Sequence, residues 1–170
     1  LKPKSAWFYG GELINPAEIV DALVDLLRDI PDLVEAVGDD PERIFAYHDR
    51  YPKNVSLDKA RYELPSPGIM VAYQGTAPGS FGGFEVWRHE ISLTLRAAEE
   101  PDKGEPPAGY YQLFRLIVKG IPAGKGVPMN NLTVHPSCHP MDTPTMRRQT
   151  DAAGIDYFEV LLSFTEIGDD

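Results

Sequence analysis

Cysteine is nearly absent. Cys138 is the only one in 170 residues, so no disulfide can form within the chain and a cross-linked secreted scaffold is excluded. Long apolar runs are missing as well: stretches such as residues 69–73 hold about five residues, against about 18 to 20 for a membrane-spanning helix. No run near Leu1 has the length of a signal-peptide core, and a soluble protein is expected. Basic residues are scarce, 16 Lys and Arg against 26 Asp and Glu, for a net charge of -10. A surface built to neutralise phosphates needs the opposite balance, so sequence-specific nucleic-acid binding is disfavoured. An acidic wall can still serve a polyanion by repelling it, which lets it slide without sticking.

What is present fits one folded domain. Hydrophobic residues make up 42% and charged residues 25%, close to globular norms. Gly 15 and Pro 16 are spread along the chain without a period, which predicts many turns and long loops. Residues 1–14 form an amino-terminal arm in which Trp7, Phe8 and Tyr9 precede Gly10 and Gly11. The arm either folds back on its own domain or docks on a neighbouring copy. Residues 15–170 are the domain.

Asn15 as cap, Pro16 at the first helical position and Glu18 behind them start a helix. Ile14 and Ile19 can close a hydrophobic staple across that start, and Ile19, Leu23, Leu26, Leu27 and Ile30 form an apolar stripe that Pro31 ends. A short helical piece follows over residues 32–37, with Gly38 as its terminator. Residues 43–50 alternate and read as a short strand. Residues 51–67 are a proline-rich excursion with one helical turn after Ser56. Residues 69–74 are a compact strand, and the glycine-rich stretch 75–83, with Phe81 its one aromatic, reads as a flexible hairpin tip.

The most diagnostic segment is residues 84–98. Trp87, His89, Ile91, Leu93, Leu95 and Ala97 occupy one parity, and Arg88, Glu90, Ser92, Thr94 and Arg96 the other. Strict alternation of this length means a half-buried strand, with one sheet face on helices and the other toward water or a partner. Residues 110–119 carry a helical stripe, residues 132–135 a short strand closed by Pro136, and residues 140–154, with Arg147 and Arg148, a loop or projecting hairpin. Residues 155–167 are a long strand with Phe158, Val160, Leu162 and Phe164 on one face. The fold class is therefore α+β, a mostly antiparallel sheet with helices packed on one face.

Candidate chemistry is sparse. His135, Cys138 and His139 are the one cluster of reactive side chains, and imidazole and thiolate suit zinc. A structural zinc site needs four ligands, and a nucleophilic Cys138 needs an oriented base, whereas His139 is adjacent and points the other way on an extended segment. The segment reads as a turn between Pro136 and Pro140, with no metal, no cofactor and no catalytic residue assigned; a small metal-binding or hydrolytic enzyme is the alternative. His89 reads as a core or interface histidine. Residues 79–83 lie between two strands, so they are not a phosphate-binding loop, which needs a strand followed by a helix.

The order of elements over nearly the whole chain, with the best match at residues 69–75, 87–97, 110–121 and 157–168, resembles the tail terminator proteins of long-tailed bacteriophages, also called tail completion or head-to-tail joining proteins. The resemblance implies a structural virion protein, not an enzyme; another virion neck or tail protein with a similar sheet is an alternative beside the small enzyme above. Its subunit would form a homo-oligomeric ring, a hexamer, that ends growth of the tail tube. The implied partners are the tail tube protein on one side and the head-tail connector protein on the other. DNA would pass through the channel without specific binding, and no membrane is involved. The implied location is the virion tail or neck, after assembly in the host cytoplasm. In that setting Trp7, Phe8, Tyr9, Phe81, Arg88, Glu90, Arg96, Arg147 and Arg148 are the candidate interface residues.

Overall fold

The computed structural model describes residues 15–81, 84–102, 104–121, 138–140, 144–154 and 156–167. The aromatic arm, Ile14, His135 and the expected strand at residues 132–135 lie outside them.

Helix α1 spans Pro16–Arg28, and its start is the expected one. The Asn15 side chain accepts from the Ala17 amide at 3.0 Å, Pro16 needs no amide partner, and Glu18 sits in the positive first turn. Pro31 both stops α1 and opens α2, Pro31–Ala36. Helix α2 ends as a Schellman motif: the Gly38 amide bonds the Glu35 carbonyl and the Asp39 amide the Val34 carbonyl. Gly38 has a φ of 88°, the left-handed value this ending requires.

A 3-10 turn at Pro41–Arg43 leads into strand β1, Ile44–Ala46. The strand expected over residues 43–50 is shorter than its alternation suggested, because Tyr47–Arg50 close a single helical turn, α3. Helix α4, Leu57–Tyr62, is the turn foreseen after Ser56, whose side chain accepts from the Lys59 amide at 3.2 Å. Strands β2, Gly68–Phe81, and β3, Phe84–Arg96, form a long ribbon. Helix α5 is Ala108–Gly120. Strands β4, Cys138–Pro140, β5, Thr145–Thr150, and β6, Asp156–Ile167, complete the chain.

The sheet order is β1-β2-β3-β6-β4, with β5 on the same side of β6 as β4 but further along it. Among the described residues only the β1–β2 pairing is parallel. This is the α+β, mostly antiparallel arrangement expected from the alternating strands. Residues 75–81 are a correction: they extend β2 rather than forming a loose tip. The strand slips register between Tyr73 and Gly75, so one extra residue, Gln74, breaks the period that would have announced the continuation. Cys138 and His139 are also corrected, from a turn to a strand paired with β6 opposite Glu166 and Thr165. Residues 140–154 contain the projecting hairpin, β5 folding onto β6.

Helices α1, α2 and α5 cover one sheet face. Ile19, Leu23 and Leu27 of α1, Leu33 of α2 and Ile117 of α5 are fully buried against Ile69, Val71, Ile91, Leu93, Val160 and Phe164. Each large aliphatic side chain taken from water contributes about 1.5–3 kcal/mol, so this layer dominates stability. Tyr110 stacks on Phe158 with ring centroids 4.1 Å apart. On the opposite face a smaller cluster joins Phe45, Ala60, Leu64 and Met70, which brings α4 over the sheet.

Candidate functional site

The second sheet face holds the most concentrated polar chemistry. Arg61 projects from α4 and Glu159 from the middle of β6, and their side chains are only 10% and 6% exposed. Arg61 Nη2 lies 3.2 Å from Glu159 Oε2, its Nε donates to Thr94 Oγ1 at 3.2 Å, and its Nη1 meets Asp58 Oδ1 at 3.1 Å. The guanidinium also stands over the Tyr157 ring, 4.5 Å from its centroid. Glu159 Oε2 accepts a second bond from Ser92 Oγ at 2.7 Å, and Oε1 faces Arg147 Nε at 3.5 Å. A buried carboxylate with two cations and a hydroxyl around it is charge-compensated, which is the condition for burying it at all. Ser92 is completely buried, so its hydroxyl is closed to a substrate. The chemistry of this strip is cohesion: it ties α4 to the sheet.

Parity placed Ser92 and Thr94 on one face with Arg88, Glu90 and Arg96, but the expectation of an outward face holds only for part of it. Arg88 and Arg96 are half-buried and Glu90 is exposed, whereas Ser92 and Thr94 are buried under α4. Arg96 Nη2 reaches the Arg61 carbonyl at 3.4 Å. Arg147 and Arg148 stay largely exposed, beside Glu159 and paired with Asp156 respectively. Arg88 and Glu90 line an open depression with residues 75–78 of β2 and Ser163. His89 is buried, as expected of a core histidine, with the Tyr73 hydroxyl 2.8 Å from its Nδ1.

A second polar group went unseen in the sequence. His48 Nε2 of α3 lies 3.1 Å from Asp21 Oδ1 of α1 and 3.3 Å from Asp49 Oδ1. Among the described residues this is the group whose donor atoms lie close enough to share a cation, and all three residues are exposed. Partial burial pushes the Asp21 carboxyl above its ordinary value; the Asp49 charge adds to this and His48 opposes it. At the start of α5, the Tyr110 hydroxyl donates to Glu100 Oε1, and burial pushes this phenol well above the usual tyrosine value, with Glu100 adding to the shift. Glu99, Glu100 and Glu105 border a cleft there with Ala36, Gly109 and Leu113.

His135, Trp7, Phe8 and Tyr9 lie outside the described residues, and of Phe81, Cys138 and His139 only the backbone is placed, on β2 and β4. No helix among the described residues is long and apolar enough to cross a membrane. No protein-family model matches the chain, and no curated protein sequence matches it either.

Proposed function

We propose that the chain is a structural virion protein of a long-tailed phage, a tail terminator that caps the tail tube as a hexameric ring and joins it to the head-side connector. The observation that carries this reading is the β2–β3 ribbon. Its far half continues beyond the last buried residues of β2, keeping Glu90, Thr76, Ala77, Pro78 and Ser80 in solvent while the helical layer supports its near half. A ribbon that carries solvent-exposed residues past the helical layer suits a subunit that meets neighbours there. The order of elements supports the same reading, as does a net charge of -10, which suits a conduit through which DNA slides. The role is assembly, with no catalysis and no cofactor, in the virion neck after assembly in the host cytoplasm.

Electron microscopy of the purified protein, alone and mixed with tail tubes, tests it. Rings of about six copies, free or seated on tube ends, are the expected result. A chain that stays monomeric at every concentration and leaves tube ends bare refutes it.

A further inference from the structure

We propose that Asp21, His48 and Asp49 form a site for a divalent transition metal of the zinc class, in which the ion clips the short helix α3 onto α1. The proposal goes beyond the assembly reading and stands without it, because the ion's part is structural and all three ligands belong to one chain.

A patch of carboxylates alone means little in a chain with 26 acidic residues. What sets this group apart is the imidazole at its centre. His48 Nε2 faces Asp21 Oδ1 at 3.1 Å and Asp49 Oδ1 at 3.3 Å, and one donor atom from each residue lies within 4.8 Å of the other two. Nε2 carries one hydrogen at most, so it can aim a straight hydrogen bond at one of the two carboxylates and not at both. A cation placed between the three atoms engages each of them. Two ligand atoms around a tetrahedral zinc stand about 3.3 Å apart when the bonds are about 2.0 Å long, and both separations from Nε2 are close to that value.

The donor types choose the ion. Imidazole nitrogen together with carboxylate oxygen suits zinc and its neighbours in the first transition row, whereas calcium and magnesium take oxygen ligands. Three protein ligands leave a fourth position of the tetrahedron, and the exposure of all three residues puts it in water.

The local charges agree. The Asp21 carboxyl is raised by partial burial first and by the Asp49 charge second, so the two carboxylates disfavour each other, and a divalent cation between them removes that repulsion. Both acids border an open depression with Asp25 and Glu42, which add negative charge, and with Arg28 and Arg50, which oppose it. The two arginines are drawn to the backbone: Arg28 Nε donates to the Ile44 carbonyl and Arg50 Nη2 to the Glu42 carbonyl, each at 2.8 Å.

The fold supplies a use for the ion. Helix α3 is a single turn, Tyr47–Arg50, closed by the Tyr51 amide on the Tyr47 carbonyl at 3.1 Å. A helix this short does not hold itself. Its ligands His48 and Asp49 share the ion with Asp21 of α1, whose other side is anchored in the main core.

Zinc titrated by calorimetry into the chelator-treated full chain tests the site, with cobalt as a spectroscopic probe. His48→Ala and Asp21→Asn are each expected to weaken zinc binding by about tenfold or more. Asp29→Asn, which removes the same charge from an exposed position next to α1, and Cys138→Ser are expected to leave it unchanged. Cobalt bound to the unmodified chain is expected to show the weak visible bands of nitrogen and oxygen ligands, without the intense near-ultraviolet band of a thiolate. Amide exchange in residues 48–51 is expected to slow when zinc is present. A chain that takes up no zinc, binding that survives His48→Ala or is lost in Cys138→Ser, or a thiolate band with cobalt overturns the site. Zinc held by His48 with unchanged exchange in residues 48–51 overturns the clip.

Discussion

The two faces of the sheet solve the same problem with different chemistry. One is sealed by α1, α2 and α5 with aliphatic side chains, so its cohesion is spread over many interchangeable contacts. The other is held by α4 through a small cluster around Met70 and through Arg61 and Glu159, so its cohesion is concentrated in a few groups that must all be present. Spread cohesion tolerates single changes of volume; concentrated cohesion fails when one partner of a charge pair is removed. The first face is built for stability and the second for fixing where one segment lies.

The largest expected effect breaks the second face. Glu159→Ala removes the buried carboxylate of Arg61 and leaves it only the exposed Asp58, and is expected to cost about 3 kcal/mol by chemical denaturation. Pairing Arg61→Met with Glu159→Leu, which makes this face resemble the first, is expected to recover most of that loss or exceed it. On the first face, Leu93→Ala opens a cavity under α1 and α5, with an expected cost of about 2–5 kcal/mol. A loss there larger than for Glu159→Ala would reverse the comparison.

Ser56→Ala removes the cap of α4, and a loss of about 1 kcal/mol is expected, accompanied by faster amide exchange confined to residues 57–64. Tyr110 sharpens the first face through pH. Its folded form keeps the phenol proton to higher pH than the unfolded chain does, so its contribution is complete below about pH 10 and is lost as pH rises further. Tyr110→Phe is expected to flatten that part of the alkaline denaturation profile. The smallest effect belongs to the half-buried rim of the second face: Arg88→Glu is expected to change stability by only about 0.5 kcal/mol while weakening assembly, and an unfolded product would place Arg88 in the core.

The first face was largely legible in the sequence, because its elements carry local signals. Asn15 and Pro16 start α1, the stripe through Tyr110, Leu113 and Ile117 marks α5, and the alternation through Ile91, Leu93 and Leu95 marks β3. The second face was half legible. Parity grouped Ser92 and Thr94 with Arg88, Glu90 and Arg96, but parity tells which residues share a face and not what covers it. Arg61 and Glu159 are 98 positions apart, and no local pattern announces their meeting. Asp21 and His48 were hidden for the same reason, since they stand on separate helices, α1 and α3. The glycines after Gln74 misled in the opposite direction: they suggested a loop where backbone pairing with β3 was sufficient to continue a strand.

The extra residue at Gln74 also acts as a phase slip. Before it, odd-numbered residues of β2 share the face of Ile91 and Leu93; after it, even-numbered residues do, beginning with Thr76 opposite His89. The strand is thereby divided into two halves of equal period and opposite phase. The near half is locked to the packing of the helical layer, and the far half can change its pattern without forcing a rewrite of the near one. A protein that must keep one interior while its rim adjusts to different neighbours gains such freedom from a single inserted residue.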